Sequence, residues 1–138
     1  MNLLEMKSII SELKKMGLKK EKIRTSLEKQ AKLHPEDSEI YIKLGLYYLS
    51  VDDLRESLKN LKKATLLKPG NEHLWFIQGY IFENSKLYTN ALEAYYYSYR
   101  LGSFVARGKL LAFCSSSWIK NLGPKQTKMI EEFKESIC

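Results

Sequence analysis

The 138-residue chain is 44% hydrophobic and 28% charged, with a formal net charge of +7. That length suits one domain of ordinary size and can bury roughly two-thirds of its unfolded surface, enough to fold without a metal or disulfide staple. The composition excludes wholesale disorder and a collagen-like fibre. The longest apolar run, Leu110 to Cys114, is too short to cross a bilayer.

Glu5 and Lys7 break up any hydrophobic stretch at the N-terminus, so no secretory signal is expected. Two cysteines, Cys114 and Cys138, make no spaced framework, and a reducing, cytoplasmic setting is the expected one. The charge is uneven. Residues 1–34 carry 9 basic and 4 acidic side chains, residues 35–70 carry 6 of each, residues 71–102 carry 2 and 3, and residues 103–138 carry 6 and 3. Twelve of the 16 aromatics fall between Tyr41 and Tyr99, away from the basic ends. A single-strand nucleic-acid surface interleaves stacking rings with cations, so nucleic acid is not the expected partner.

Apolar residues recur at helical spacing throughout, and no stretch alternates like a half-buried strand, which predicts an all-α fold. The first helix is expected over about 2–16, broken by Gly17, and the second over 19–33, ending before His34-Pro35. Asp37 or Ser38 caps a third helix reaching Ser50, and Asp52 or Asp53 a fourth reaching Leu67. Asn71 caps a fifth ending near Ser85. A sixth runs from Tyr88 to Leu101, where Gly102 supplies a left-handed stop. Ser103 opens a seventh helix, and Pro124, at a first-turn position, opens the eighth.

The middle of the chain repeats itself. Tyr41, Leu44, Gly45 and Tyr48 are followed 34 positions later by Trp75, Gln78, Gly79 and Phe82. Ser57, Leu58, Leu61 and Ala64 align in the same way with Ala91, Leu92, Tyr95 and Ser98, and Pro69 closes the first pair. Gly45 and Gly79, facing small Ser57 and Ala91, are expected to let the helices of each hairpin approach closely. This pattern resembles the tetratricopeptide repeat, a 34-residue helix–turn–helix with W-x2-L-G-x2-Y, then A-x3-F, then P. The resemblance implies a solenoid of about eight antiparallel helices in a single domain over 1–138. Residues 38–71 and 72–105 would be good repeats, and 1–37 and 106–138 degenerate terminal hairpins, as expected where one face meets water.

In that family the first helix of each hairpin lines a concave groove. Carried onto this chain, the groove positions are Glu39, Ile42, Leu46 and Leu49 in one repeat, and His73, Phe76, Tyr80 and Glu83 in the next. The degenerate C-terminal hairpin adds Arg107, Leu110 and Cys114, and the N-terminal one Glu5, Ser8 and Glu12. The strip Ile42, Leu46, Leu49, Phe76, Tyr80 and Leu110 would suit an amphipathic helix or an extended segment with apolar anchors. Self-packing of those side chains is the alternative. The family's carboxylate clamp needs lysine, asparagine and arginine where this chain has Ile42, Leu46, Ser8 and Glu12, so capture of an acidic C-terminal tail is not expected.

Nothing in the sequence asks for catalysis or a cofactor. His34 and His73 lie far apart, no Cys/His group has zinc spacing, and neither a phosphate loop nor a nucleophile elbow occurs. Cys114 reads as a small core hydrophobe, and Cys138 as a free terminal thiol. Tyr95 and Tyr99 read as packing residues. Tyr96 and Tyr97 are placed toward the outer surface, a candidate second contact patch. Lys14, Lys15, Lys19, Lys20, Lys22 and Arg24 form a basic first hairpin. The expected function is a non-catalytic protein-binding module, an adaptor or chaperone. In size and repeat content it is similar to the type III secretion chaperones of needle or translocator subunits. An RNA-binding helical protein using the basic ends, and a subunit that stacks into a homo-oligomer, are the other two readings.

Overall fold

The computed structural model describes residues 1–137; Cys138, expected to be a free thiol, lies outside the described residues. Among the described residues the fold is all-α. Its helices are α1 (Leu3–Lys15), α2 (Lys20–Leu33), α3 (Ser38–Ser50), α4 (Leu54–Leu67), α5 (Glu72–Asn84), α6 (Tyr88–Arg100), α7 (Phe104–Cys114) and α8 (Pro124–Ile137), with short 3-10 turns at Gly17–Lys19 and Ser117–Asn121. None of them is long and apolar enough to cross a membrane.

Local chemistry sets the ends. Asn2 accepts from the Glu5 amide at 2.9 Å while the Glu5 carboxylate reaches back, so α1 opens with a capping box. Asp37, Asp53, Asn71 and Ser103 each accept from an amide in the first turn of α3, α4, α5 and α7. Such caps satisfy donors that have no partner within the helix, and losing one costs about 1 kcal/mol. Gly102 takes a φ of +105° between α6 and α7.

The helix pairs α3/α4 and α5/α6 recur at an interval of 34 residues in detail. The turns inside the two pairs share one geometry. Asp52 and Lys86 both take a φ of 60°. The Asp53 amide donates to the Tyr48 carbonyl at 2.9 Å, and the Leu87 amide to that of Phe82 at 2.9 Å. Gly45 and Gly79 mark the closest approach within each pair. A Cβ on Gly45 would sit 2.6 Å from Leu61 Cγ, and one on Gly79 would sit 2.6 Å from the Tyr95 ring. The glycines therefore make room for Leu61 and Tyr95, one turn beyond the small residues expected opposite them. Ser57 contributes a bond rather than space, its hydroxyl donating to the Gly45 carbonyl at 2.7 Å.

The chain divides into two compact units, Met1–Gly70 and Asn71–Cys138, at the boundary between the two recurring pairs. In the first unit α3 is central. Beyond its first turn it is largely apolar on every side, Lys43 and Ser50 being the exceptions, as a helix enclosed by neighbours should be. Helices α1, α2 and α4 all pack on it, and α1 and α2 each pack more closely on α3 than on each other. The expected N-terminal hairpin is thus not a close pair. Glu21 and Glu28 of α2 accept from Tyr47 and Tyr48 of α3 at 2.8 and 3.1 Å, and Arg24 bridges both carboxylates.

In the second unit α6 is central and carries α5, α7 and α8. Tyr95 is wholly buried on its inner side, with the rings of Phe76 and Phe113 at 5.2 and 5.7 Å. Helix α8 covers an adjoining side. Tyr96 donates to Glu132, Tyr99 pairs with Ser136, and Gln126 reaches Glu93 at 2.6 Å. Tyr96 is therefore a buried packing residue and not the surface group the sequence suggested, because α8 lies over it. Tyr97 is half-buried against Trp75 at 4.9 Å. The 3-10 turn at Ser117–Asn121 sets Trp118 between Tyr88 and Phe113.

Candidate functional site

Four of the apolar residues expected to line a groove are core. Ile42 and Leu46 are fully buried, because α3 already has three helices around it. Phe76 is buried beside Tyr95, and Leu110 points from α7 into the packing with α6. A strip made from these four would need them at the surface, and the packing has used them instead. Leu49 is half-buried. Glu39, also half-buried, faces the N-terminal amine of Met1 at 3.8 Å.

The polar members of the set are partly engaged. Glu83 accepts from the Tyr95 hydroxyl at 2.8 Å and from Lys109 Nζ at 2.9 Å, so it serves as a hub for α5, α6 and α7. Burial, reinforced by the carboxylate beside it, pushes the Tyr95 hydroxyl far above the ordinary tyrosine value. His73 sits half-buried at the start of α5, its Nε2 3.3 Å from Glu72. Arg107 and Cys114 are half-buried on α7, and burial raises the Cys114 thiol. Tyr80 alone among the aromatic candidates is open, at 44% exposure. His34 ends α2 and is exposed near Glu36. Glu5, Ser8 and Glu12 are exposed on α1. Among the described residues no cluster of three or more His, Cys, Asp or Glu could hold a metal ion.

The open apolar surface lies elsewhere. On α7 the inward side chains are Ala106, Leu110 and Phe113, and the outward ones are Phe104, Val105, Gly108, Leu111, Ala112 and Ser115. That outward face carries no charge. Phe104 is 85% exposed and Val105 53%, with Leu101 and Leu111 partly exposed beside them. At its centre is Gly108, where a Cβ would meet nothing within 4 Å. Positions 104, 108, 111 and 115 fall on one helical stripe, but the buried stripe of Ala106, Leu110 and Phe113 is apolar too, so sequence does not tell the two apart. The groove register of the repeat, Arg107, Leu110 and Cys114, points instead to another side of the helix.

The second open surface is polar. Helix α2 turns Leu27 inward and presents Lys22, Thr25, Ser26, Lys29 and Leu33 to solvent. Glu21, at its edge, is held below the ordinary carboxylate range by the Tyr47 hydroxyl and by Arg24. No protein-family model, curated protein or solved structure matches the chain.

Proposed function

We propose that the chain is a tetratricopeptide-repeat-like, non-catalytic interaction module, an adaptor or chaperone that holds an amphipathic helix of a partner protein. Two helix pairs with the same turn, the same glycine contact and the same 34-residue interval support the repeat reading. The observation that carries the functional reading is the uncharged outward face of α7. Soluble proteins rarely leave a contiguous apolar patch open unless something docks there.

The chemistry of that face points to a helical partner. Glycine inside a helix costs about 1 kcal/mol against alanine and is kept where another backbone comes close. Among the described residues nothing outside its own helical turn lies within 4 Å of a Cβ placed on Gly108. A partner helix crossing there, with apolar side chains set against Phe104 and Leu111, supplies the missing neighbour. The contact surface is therefore on α7 and does not use Ile42, Leu46, Phe76 or Leu110.

A photo-crosslinking amino acid placed at Leu111 in cells making the protein is expected to trap a discrete partner. The same group at Lys43, the exposed position on α3, should not trap it. Adding Phe104→Asp should abolish the adduct while leaving helicity intact, since exposed substitutions usually change stability by less than about 0.5 kcal/mol. Adducts that survive Phe104→Asp, or that match those from Lys43, would refute the reading.

A further inference from the structure

We infer that the outward face of α2 is a second docking surface, fitted to an acidic helical segment of a protein that carries an apolar side chain near each end. This inference stands apart from the α7 surface and does not depend on it. Leu18, in the 3-10 turn that leads into α2, is 92% exposed, and Leu33, in its last turn, is 74% exposed. Between them Lys22 and Lys29 lie on the same stripe, spaced as i+4 and i+11 from Leu18, with Leu33 at i+15. Thr25 and Ser26 sit between the lysines, and the five residues Glu21, Lys22, Thr25, Ser26 and Lys29 line a shallow concavity of about 390 Å³. Lys19 and Lys32 flank the stripe.

The positive charge here is unspent. The carboxylates of the two nearby acids, Glu21 at the edge of the concavity and Glu28, are already engaged by Tyr47, Tyr48 and Arg24. Among the described residues Lys19, Lys22, Lys29 and Lys32 make no ion pair. A face with four unpaired lysines, whose one lining acid, Glu21, already accepts from Tyr47 and Arg24, attracts an anionic partner.

The remaining features select protein over nucleic acid. Residues 1–40 contain no Phe, Trp or Tyr, so bases find no ring to stack on. Two exposed leucines at the ends are useless to a phosphate backbone but are anchors for a helix. Their separation along α2 is about 22 Å at 1.5 Å per residue, so the partner's apolar residues should lie about four turns apart with carboxylates between them.

The test uses the full chain and a fluorescent peptide of about 18 residues, helical, with a leucine near each end and glutamates facing one way between them. Anisotropy at about 50 mM salt should show saturable binding that weakens at about 300 mM. Reversing Lys22→Glu and Lys29→Glu together should weaken binding at least about tenfold, and Leu18→Ser with Leu33→Ser by a comparable factor. Phe104→Asp should leave it unchanged, which separates this surface from the α7 face. All of these positions are exposed, so unchanged circular dichroism will show that the variants fold. Absence of peptide binding at the lower salt, or equal binding by the Lys22→Glu/Lys29→Glu protein, overturns the inference. Tighter binding of a labelled oligouridylate than of the peptide also overturns it, in favour of nucleic acid.

Discussion

Replacing Gly79 by alanine should destabilise the second unit, although alanine is the better helix former. The new methyl carbon would stand 2.6 Å from Cδ1 and Cε1 of Tyr95 and 3.1 Å from its Cγ. That ring has no free direction in which to retreat. It is fully buried between Phe76 and Phe113, and its hydroxyl is held by Glu83 at 2.8 Å. Forcing a methyl group into a filled core costs about 1–3 kcal/mol. Shifting the ring also loosens a hydrogen bond to a carboxylate, a class worth about 1.5–3 kcal/mol. Helix propensity returns about 1 kcal/mol. The balance is a loss of about 2 kcal/mol, which at a urea slope of about 2 kcal/mol/M lowers the midpoint by about 1 M. Both tryptophans, Trp75 and Trp118, belong to the second unit, so their fluorescence reports the right transition. Gly108→Ala is the internal control. With open space at that position it should raise the midpoint by about 0.3–0.5 M through propensity alone. If Gly79→Ala also raised the midpoint, the close approach of α5 and α6 would not be what the glycine serves.

Tyr95→Phe should cost about 1–2 kcal/mol in the same assay, by removing a buried donor from the Glu83 carboxylate. Because the folded Tyr95 hydroxyl is raised, the stability it contributes is fully present below its ordinary value of 10.0 and is lost as pH climbs above it. The Phe variant should therefore show a shallower alkaline loss of stability than the parent, and equal slopes would contradict the role of this hydroxyl. Glu21 behaves in the opposite sense. Its pKa is depressed, first by the Tyr47 hydroxyl and then by Arg24, so its contribution is present above the ordinary value of 4.5 and is lost as pH falls through the lower folded value. Acid titration followed by far-ultraviolet circular dichroism should give a flatter profile below pH 4.5 for Glu21→Gln than for the parent, and coincident profiles would refute the assignment.

Helix positions were legible because the signals for them are local. Asp37, Asn71 and Ser103 cap α3, α5 and α7, and Gly102 turns left-handed, as their positions in the sequence predict. The 34-residue interval was legible for the same reason, since each hairpin repeats its own turn and its own glycine contact. The 3-10 turn at Ser117–Asn121 was not, because its residues have no helical periodicity and Trp118 is placed by contact with Tyr88 and Phe113. The binding strip failed for a tertiary reason. Which side of an apolar helix meets solvent depends on how many helices pack on it. Sequence cannot show that α1 and α2 both turn to α3 and enclose Ile42 and Leu46, or that α8 lies over Tyr96. On α7, which is apolar on both sides, only the packing with α6 shows that Phe104, Gly108 and Leu111 form the open side.

The packing of α8 onto α6 bears on the order of folding events. The contacts inside α3/α4 and α5/α6 join neighbours in the chain, so little loop entropy opposes them. Domains dominated by such local contacts fold within microseconds to milliseconds. The α8 contacts, from Glu93 to Gln126 and from Tyr99 to Ser136, instead close over 33 to 37 residues, and α1 reaches α3 past an intervening helix. Their greater loop-closure cost predicts that these contacts form after the hairpins. Substitutions at Gly45 or Gly79 should therefore act mainly on the rate of folding, while losing Tyr99 or Gln126 should act mainly on the rate of unfolding. The helices at the two termini would thus govern how long the native state persists rather than how quickly it is reached.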